Sequence, residues 1–170
     1  AAMECGHLPL ALGMIGAMVR GRPDRWSNAL QKLRRADLHA IRRDFPDYAY
    51  PDLLRAIEVS LDALEPWERE RYLDFAVFSE DTPVPEAVLR TLWGAEGIAN
   101  DDVQDLLDRF VDRSLLRRDD QDRLGQHDLQ YDYVRKRAGD ISPFHRRLVD
   151  AYLAVCPSGL ATGPDDGYFF

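Results

Sequence analysis

The run Leu115-Leu116-Arg117-Arg118 … Arg123-Leu124-Gly125-Gln126-His127-Asp128-Leu129-Gln130 constrains the fold of this chain more than any other stretch. Almost everything before it repeats its apolar residues at helical spacing, and here the period becomes strand-like. Asp119-Asp120-Gln121-Asp122 supplies turn chemistry between the two halves. The stretch therefore predicts two short strands, 115–118 and 123–126, around a polar turn. A helix resumes at Leu129, so His127 and Asp128 fall at a strand-to-helix junction. Aspartate is a favoured N-cap, and Asp128 is expected to cap that helix. A rigid junction can aim His127 at an anionic ligand, because an imidazole is a donor whose charge changes near neutral pH. An isolated histidine beside a cap also fits an ordinary surface position, so the rest of the chain has to decide.

The other segments read as helices. Leu8, Leu12, Ile15 and Val19 form one apolar stripe, with Pro9 at its start, where a missing backbone donor costs nothing. Gly6, Gly13 and Gly16 leave one side of it nearly bare. Ala1 to Cys5 reads as helix interior. Trp26, Leu30 and Leu33 begin a second helix, and 38–50 reads as a transition punctuated by Pro46 and Pro51. Leu54, Ile57, Leu61 and Leu64 make the next stripe. Pro66 opens a helix whose expected buried set is Trp67, Tyr72, Phe75 and Ala76, and 79–85 reads as a loop. Val88, Leu89, Leu92 and Trp93 form a short helix ended by Gly94. Asp101 is placed to cap the stripe Val103, Leu106, Leu107, Phe110 and Val111. After Gly139, Ser142-Pro143 reads as an N-cap and first-turn proline, leading Phe144, Leu148, Ala151, Tyr152 and Val155. The three tryptophans are expected to anchor the core.

Three helices followed by a two-stranded ribbon is the winged-helix arrangement. The fold expected is mainly α: a first helical domain over 1–50, a winged-helix domain over 51–138, and the start of a second helical domain or a linker over 139–170. The chain ends on Tyr168-Phe169-Phe170 with nothing to cover them, and it begins without a helix cap, so a piece of something longer is expected.

Composition narrows the function classes. With 22 basic against 30 acidic residues and a net charge of -8, a general nucleic-acid surface is disfavoured. No apolar run is long enough to span a bilayer, and no leader pattern opens the chain. Cys5 and Cys156 have no ligand-like spacing, which favours free thiols in a cytoplasmic protein and no metal site.

Three stretches resemble the STAND (NB-ARC) class of nucleotide-binding adaptors, in particular the apoptotic protease-activating factor family and its bacterial relatives. Glu4-Cys5-Gly6-His7-Leu8-Pro9-Leu10-Ala11-Leu12 is similar to the family's Gly-x-Pro motif. Leu73-Asp74-Phe75-Ala76-Val77-Phe78 with Val84-Pro85 and Leu92-Trp93 resembles the front of its winged-helix domain. Gln126-His127-Asp128 is similar to its Met-His-Asp motif, with glutamine where methionine is usual. The resemblance implies that Pro9, flanked by Gly6 and Leu8, packs against the adenine of a nucleotide. It implies that His127 reaches the phosphates and holds a closed, ADP-bound state, with Asp128 orienting the junction. No G-x-x-x-x-G-K-[ST] occurs in these residues. The implied role is thus that of a regulatory lid without catalysis of its own. ADP or ATP would be bound by the intact parent and not tightly by these residues alone. The implied partners are an upstream nucleotide-binding domain, a downstream sensor or repeat domain, and further copies in an activated homo-oligomer.

Two other readings compete. A winged helix can read DNA, but Asp101, Asp102, Asp105, Asp108 and Asp112 crowd the presumptive recognition helix, leaving Arg117, Arg118 and Arg123 on the wing as the helpful charges. A hydrolase using His127 and Asp128 lacks a nucleophile in a recognisable setting.

Overall fold

The computed structural model describes residues 1–36, 38–46 and 48–156. Four helices open the chain: α1 (Pro9–Met18), α2 (Trp26–Arg35), α3 (Leu38–Asp44) and α4 (Pro51–Leu61). Proline sits in the first turn of α1 and of α4, where its fixed φ suits a helix start. The span read as a transition thus contains a helix, α3, too short to show its period in sequence. Residues Met3–Cys5 form a 3-10 turn, not the interior of a helix.

The centre of this helical layer is α4. Leu53, Leu54, Ala56, Ile57, Val59 and Leu61 are all buried, and the helix packs against α1, α2 and α3. The stripe predicted here holds, Leu64 included. On α1 the buried face matches the predicted stripe only in part. Ala11, Met14, Ile15 and Val19 are buried, while Leu8 and Leu12 are half-buried. The helix is apolar on nearly every side, so periodicity alone cannot choose which side meets α4.

The second half starts with α5 (Pro66–Leu73), extended by a 3-10 turn over Asp74–Val77. Then follow β1 (Val84–Pro85), α6 (Glu86–Gly94), α7 (Asn100–Asp112), β2 (Arg117–Arg118), β3 (Arg123–Gly125), α8 (Asp128–Ala138) and α9 (Ser142–Val155). The predicted two-stranded ribbon is a three-stranded antiparallel sheet in the order β1-β3-β2. Val84 pairs with Leu124, and Leu124 also faces Arg118. The end of the predicted 79–85 loop is therefore the outer strand β1, two residues long and without a period of its own. Leu115, Leu116 and Gln126 lie outside the ladder.

Burial follows the α7 stripe: Val103, Leu106, Leu107 and Phe110 are inside and Val111 is half-buried. Asp101 does not cap this helix; it sits in the first turn, with Ala99 at the cap position. The carboxylate still faces the positive helix end there. At α9, Ser142 is inside the helix, and its N–H donates to the Asp140 carboxylate at 2.9 Å. Of the predicted α9 stripe only Ala151 is buried, and Tyr152 and Val155 are exposed.

The tryptophans diverge. Trp93 is fully buried and its Nε1 donates to Asp74 at 2.8 Å. Trp26 is half-buried, and Trp67 is 45% exposed, outside the core expected for it. Arg147 of α9 donates to the same Asp74 at 2.7 Å and also pairs with Glu96, tying α9 to the winged-helix half. The buried apolar residues form one continuous cluster through both halves. Among the described residues no helix is long and apolar enough to cross a membrane. The side chain of His39 and the closing Tyr168-Phe169-Phe170 lie outside the described residues.

Candidate functional site

His127 is itself the N-cap of α8, in extended conformation at φ -77°, ψ 145°. Its Nδ1 accepts from the Leu129 N–H at 3.4 Å. The Gln130 side chain answers from the other direction, its Oε1 accepting from the His127 N–H at 3.1 Å. This is a reciprocal capping box with imidazole in place of a hydroxyl. Asp128, expected to cap, occupies the first helical position and is exposed, where it complements the helix dipole. With Nδ1 used as an acceptor, the neutral ring carries its proton on Nε2 and presents a donor away from the backbone.

Gln130 is 1% exposed and ties this junction down. Its Nε2 donates to Ser114 O at 2.8 Å, on the segment leading into the ribbon, and touches Met14 Sδ of α1 at 3.8 Å. Ser114 itself turns the chain at φ 57°. The junction is thus fastened to the ribbon and to the helix that starts at Pro9. Pro9 is exposed, and Met14 lies about 7.5 Å further along the same axis, at 1.5 Å per residue. The structure brings the two motif-bearing helices together through Gln130 and Met14.

Gly6 occupies a left-handed position at φ 58°, and a Cβ there would lie 2.9 Å from the Asp52 carboxylate. Asp52 in turn accepts from the buried Arg55 at 2.9 Å, and Arg55 also bonds the Glu4 carbonyl. The turn ahead of Pro9 is therefore clamped on α4, and Gly6 is required by that close approach. Leu8 is half-buried at the foot of α1, in the N-cap position.

On the wing, Arg118 pairs with Glu86 at 2.8 Å and with Asp108, while Arg123 pairs with Asp119 at 2.8 Å. Burial works against the Glu86 charge, but the bonds from Arg118 and Arg90 hold its carboxyl below the usual range. Of the three wing cations only Arg117 is left without a carboxylate among the described residues. Asp101, Asp102 and Asp105 stay exposed on α7. A polyanionic duplex would find little to hold here.

Gln126 faces a cleft of about 80 Å³ beneath the 79–84 segment, room for a few waters and no ligand. Its carbonyl accepts from Arg117 at 3.3 Å. Sequence reasoning missed Gln130, Met14, Ser114, Asp52 and Arg55. The spacing His127-x-x-Gln130 carried the first of these, because a capping box needs an amide or carboxylate three residues past the cap.

Comparison with known proteins bears on the winged-helix fold. Residues 68–134 match the winged-helix domain described as apoptotic protease-activating factor 1-like. Apoptotic protease-activating factor 1 of Danio rerio is 39% identical over 153 residues, 88% of this chain and 12% of that protein. The Homo sapiens protein of the same name is 31% identical over 153 residues, again 88% of this chain and 12% of its own length. A probable disease resistance protein of Arabidopsis thaliana is 37% identical over 97 residues, 54% of this chain and 11% of that protein. The chain thus spans about an eighth of the length of the relatives it matches.

Proposed function

We propose, for a chain that belongs to the apoptotic protease-activating factor-like family of the STAND (NB-ARC) class and carries its winged-helix domain at residues 68–134, that it is the regulatory lid of a nucleotide-dependent signalling switch. The lid holds a longer cytoplasmic protein closed on ADP and opens to permit self-assembly. The nucleotide lies on an upstream domain, and sensing is done by a downstream one. The reading divides the chain into a helical layer, the winged helix and a further helix that begins the next domain.

One observation carries this reading. His127 caps α8 through Nδ1, so its Nε2–H is free to donate at the positive end of an eleven-residue helix. A helix N-terminus with an aimed donor suits a phosphate oxygen. Gln130 fixes that donor relative to α1, where Pro9 offers an exposed apolar surface for a base. A hydrogen bond to a charged phosphate contributes about 1.5–3 kcal/mol. Only contact that differs between two nucleotide states shifts a conformational equilibrium, and loss or displacement of the phosphate removes this one. The residues here bind and orient; no group among them is assigned a catalytic role.

The test is reconstitution. An isolated nucleotide-binding domain of the same parent is loaded with a fluorescent ADP analogue, and this chain is added in trans. The reading requires slower release in the presence of the chain. Release at the same rate with and without it contradicts the reading.

A further inference from the structure

Away from the His127 junction, the C-terminal end of α1, one side of α2 and the turn between α4 and α5 enclose a cleft of about 470 Å³. That volume falls within the range of small-molecule sites and is too small for a folded segment. Val19, Ala29 and Leu64 form a buried apolar floor. Arg25 at the N-cap of α2, with Asn28 and Lys32 within the helix, lines the cleft at i, i+3 and i+7. Arg113, just past α7, also lines it.

The charges in this cleft are unequally committed. Asp62 is bonded to Arg69 at 2.6 Å, and the Glu65 side chain caps the first turn of α5. Among the described residues, none of Arg25, Lys32 and Arg113 reaches a carboxylate within salt-bridge distance. Arg113 is half-buried, and its guanidinium makes one bond, from Nη1 to the Ala63 carbonyl at 3.0 Å. Burial, with Arg109 nearby, pushes its pKa down. A partly desolvated guanidinium in a cleft lined by two more cations is favoured by an anion that joins them.

We propose that this cleft is a second anion site, distinct from the His127 junction, which takes a small phosphate-bearing molecule with at least two negative charges. The guanidinium fork of Arg113 grips the phosphate group, Lys32 and Arg25 neutralise its remaining charge, and the Asn28 amide donates a hydrogen bond to it. Arg113 belongs to the winged-helix residues and α2 to the helical layer, so the bound anion joins the two halves. An effector that bridges two units favours the arrangement in which both can hold it, and its occupancy biases the position of the lid.

The test is calorimetric titration of the 170-residue chain with inorganic pyrophosphate at fixed ionic strength, with ADP titrated in parallel. Saturable binding is expected, weakened roughly tenfold by Lys32→Gln or Arg25→Gln, each of which removes one charge-assisted contact. Both residues are exposed, so neither variant endangers folding. Arg113→Gln should weaken binding further. Parallel losses for pyrophosphate and ADP identify a nucleotide's phosphates as the source of the anion. A loss for pyrophosphate alone identifies a free phosphate compound, and both results support the site. Absence of saturable pyrophosphate binding overturns the proposal. So does binding that disappears in His127→Ala and is unchanged in Lys32→Gln.

Discussion

Gln130 Nε2 rests 3.8 Å from Met14 Sδ, and this contact fastens the His127 junction to the helix that begins at Pro9. The same nitrogen donates to Ser114 O at 2.8 Å, and the amide oxygen accepts from the His127 N–H. Gln130→Leu is expected to destabilise the chain by about 1–3 kcal/mol, because it strands two part-buried backbone groups. Gln130→Glu keeps the acceptor for His127 but turns a carboxylate oxygen toward the Ser114 carbonyl, and should cost at least as much. Urea unfolding of the two variants checks this. Wild-type stability in Gln130→Glu would remove the assigned role of the amide.

Asp74 is buried with Trp93, Arg71 and Arg147 around it. Burial raises its pKa, and the bonds from Arg147 and the charge of Arg71 only partly oppose that. A carboxyl raised on folding contributes stability below its unfolded pKa and loses that contribution as pH rises through the folded value. Removing Arg147 raises the folded value further. Arg147→Ala should therefore destabilise by about 1–3 kcal/mol near neutral pH, moderated by the partial exposure of Arg147. The cost should shrink toward pH 4. Unfolding curves at several pH values give the comparison, and a pH-independent difference would contradict it.

Glu86 behaves in the opposite sense. Its pKa is lowered because the bonds from Arg118 and Arg90 outweigh burial. Its contribution is present above the unfolded value and disappears as pH falls through the folded one. The difference in melting temperature between wild type and Glu86→Gln should be largest near neutral pH and fade below about pH 4. A gap that persists in acid would mean that the clamp between α6 and the wing does not depend on ionised Glu86.

The turn before Pro9 offers a paired test. Gly6 and His7 both have φ of 58°, but only Gly6 has the Asp52 carboxylate against it. Gly6→Ala should destabilise, through the 2.9 Å approach to Asp52 as well as the backbone. His7→Gly should stabilise by roughly 1 kcal/mol, since a side chain in left-handed conformation costs about 1–2 kcal/mol. Thermal melts of the two single variants read the signs directly. Stabilisation by Gly6→Ala would refute the close approach.

Much of the fold is legible in the residues because long stripes carry their own period. The α7 positions Val103, Leu106, Leu107 and Phe110, and the α4 positions Leu54, Ile57 and Leu61, are buried where spacing puts them. Where spacing carries no information, sequence reasoning falls short. On α1 nearly every side is apolar, and the choice of Met14 over Leu12 is made by α4. The strand β1 exists because Leu124 lies opposite Val84, a pairing across forty residues that no local pattern records. Trp67 reads as core by size, yet its place near the start of α5 leaves it at the surface. The junction is legible in the residues, but its cap is His127 and not the neighbouring Asp128. Aspartate is the commoner cap, and only the Gln130 spacing argues for imidazole.

The lid account rests on the Nε2–H of His127. The direct measurement is ADP dissociation from a chain that also carries the upstream nucleotide-binding domain, compared between wild type and His127→Ala, with particle size followed alongside. The account predicts ADP release faster by about tenfold or more, the equivalent of one hydrogen bond to a charged group, together with a shift toward self-assembled particles. Identical release rates and identical size distributions would contradict it.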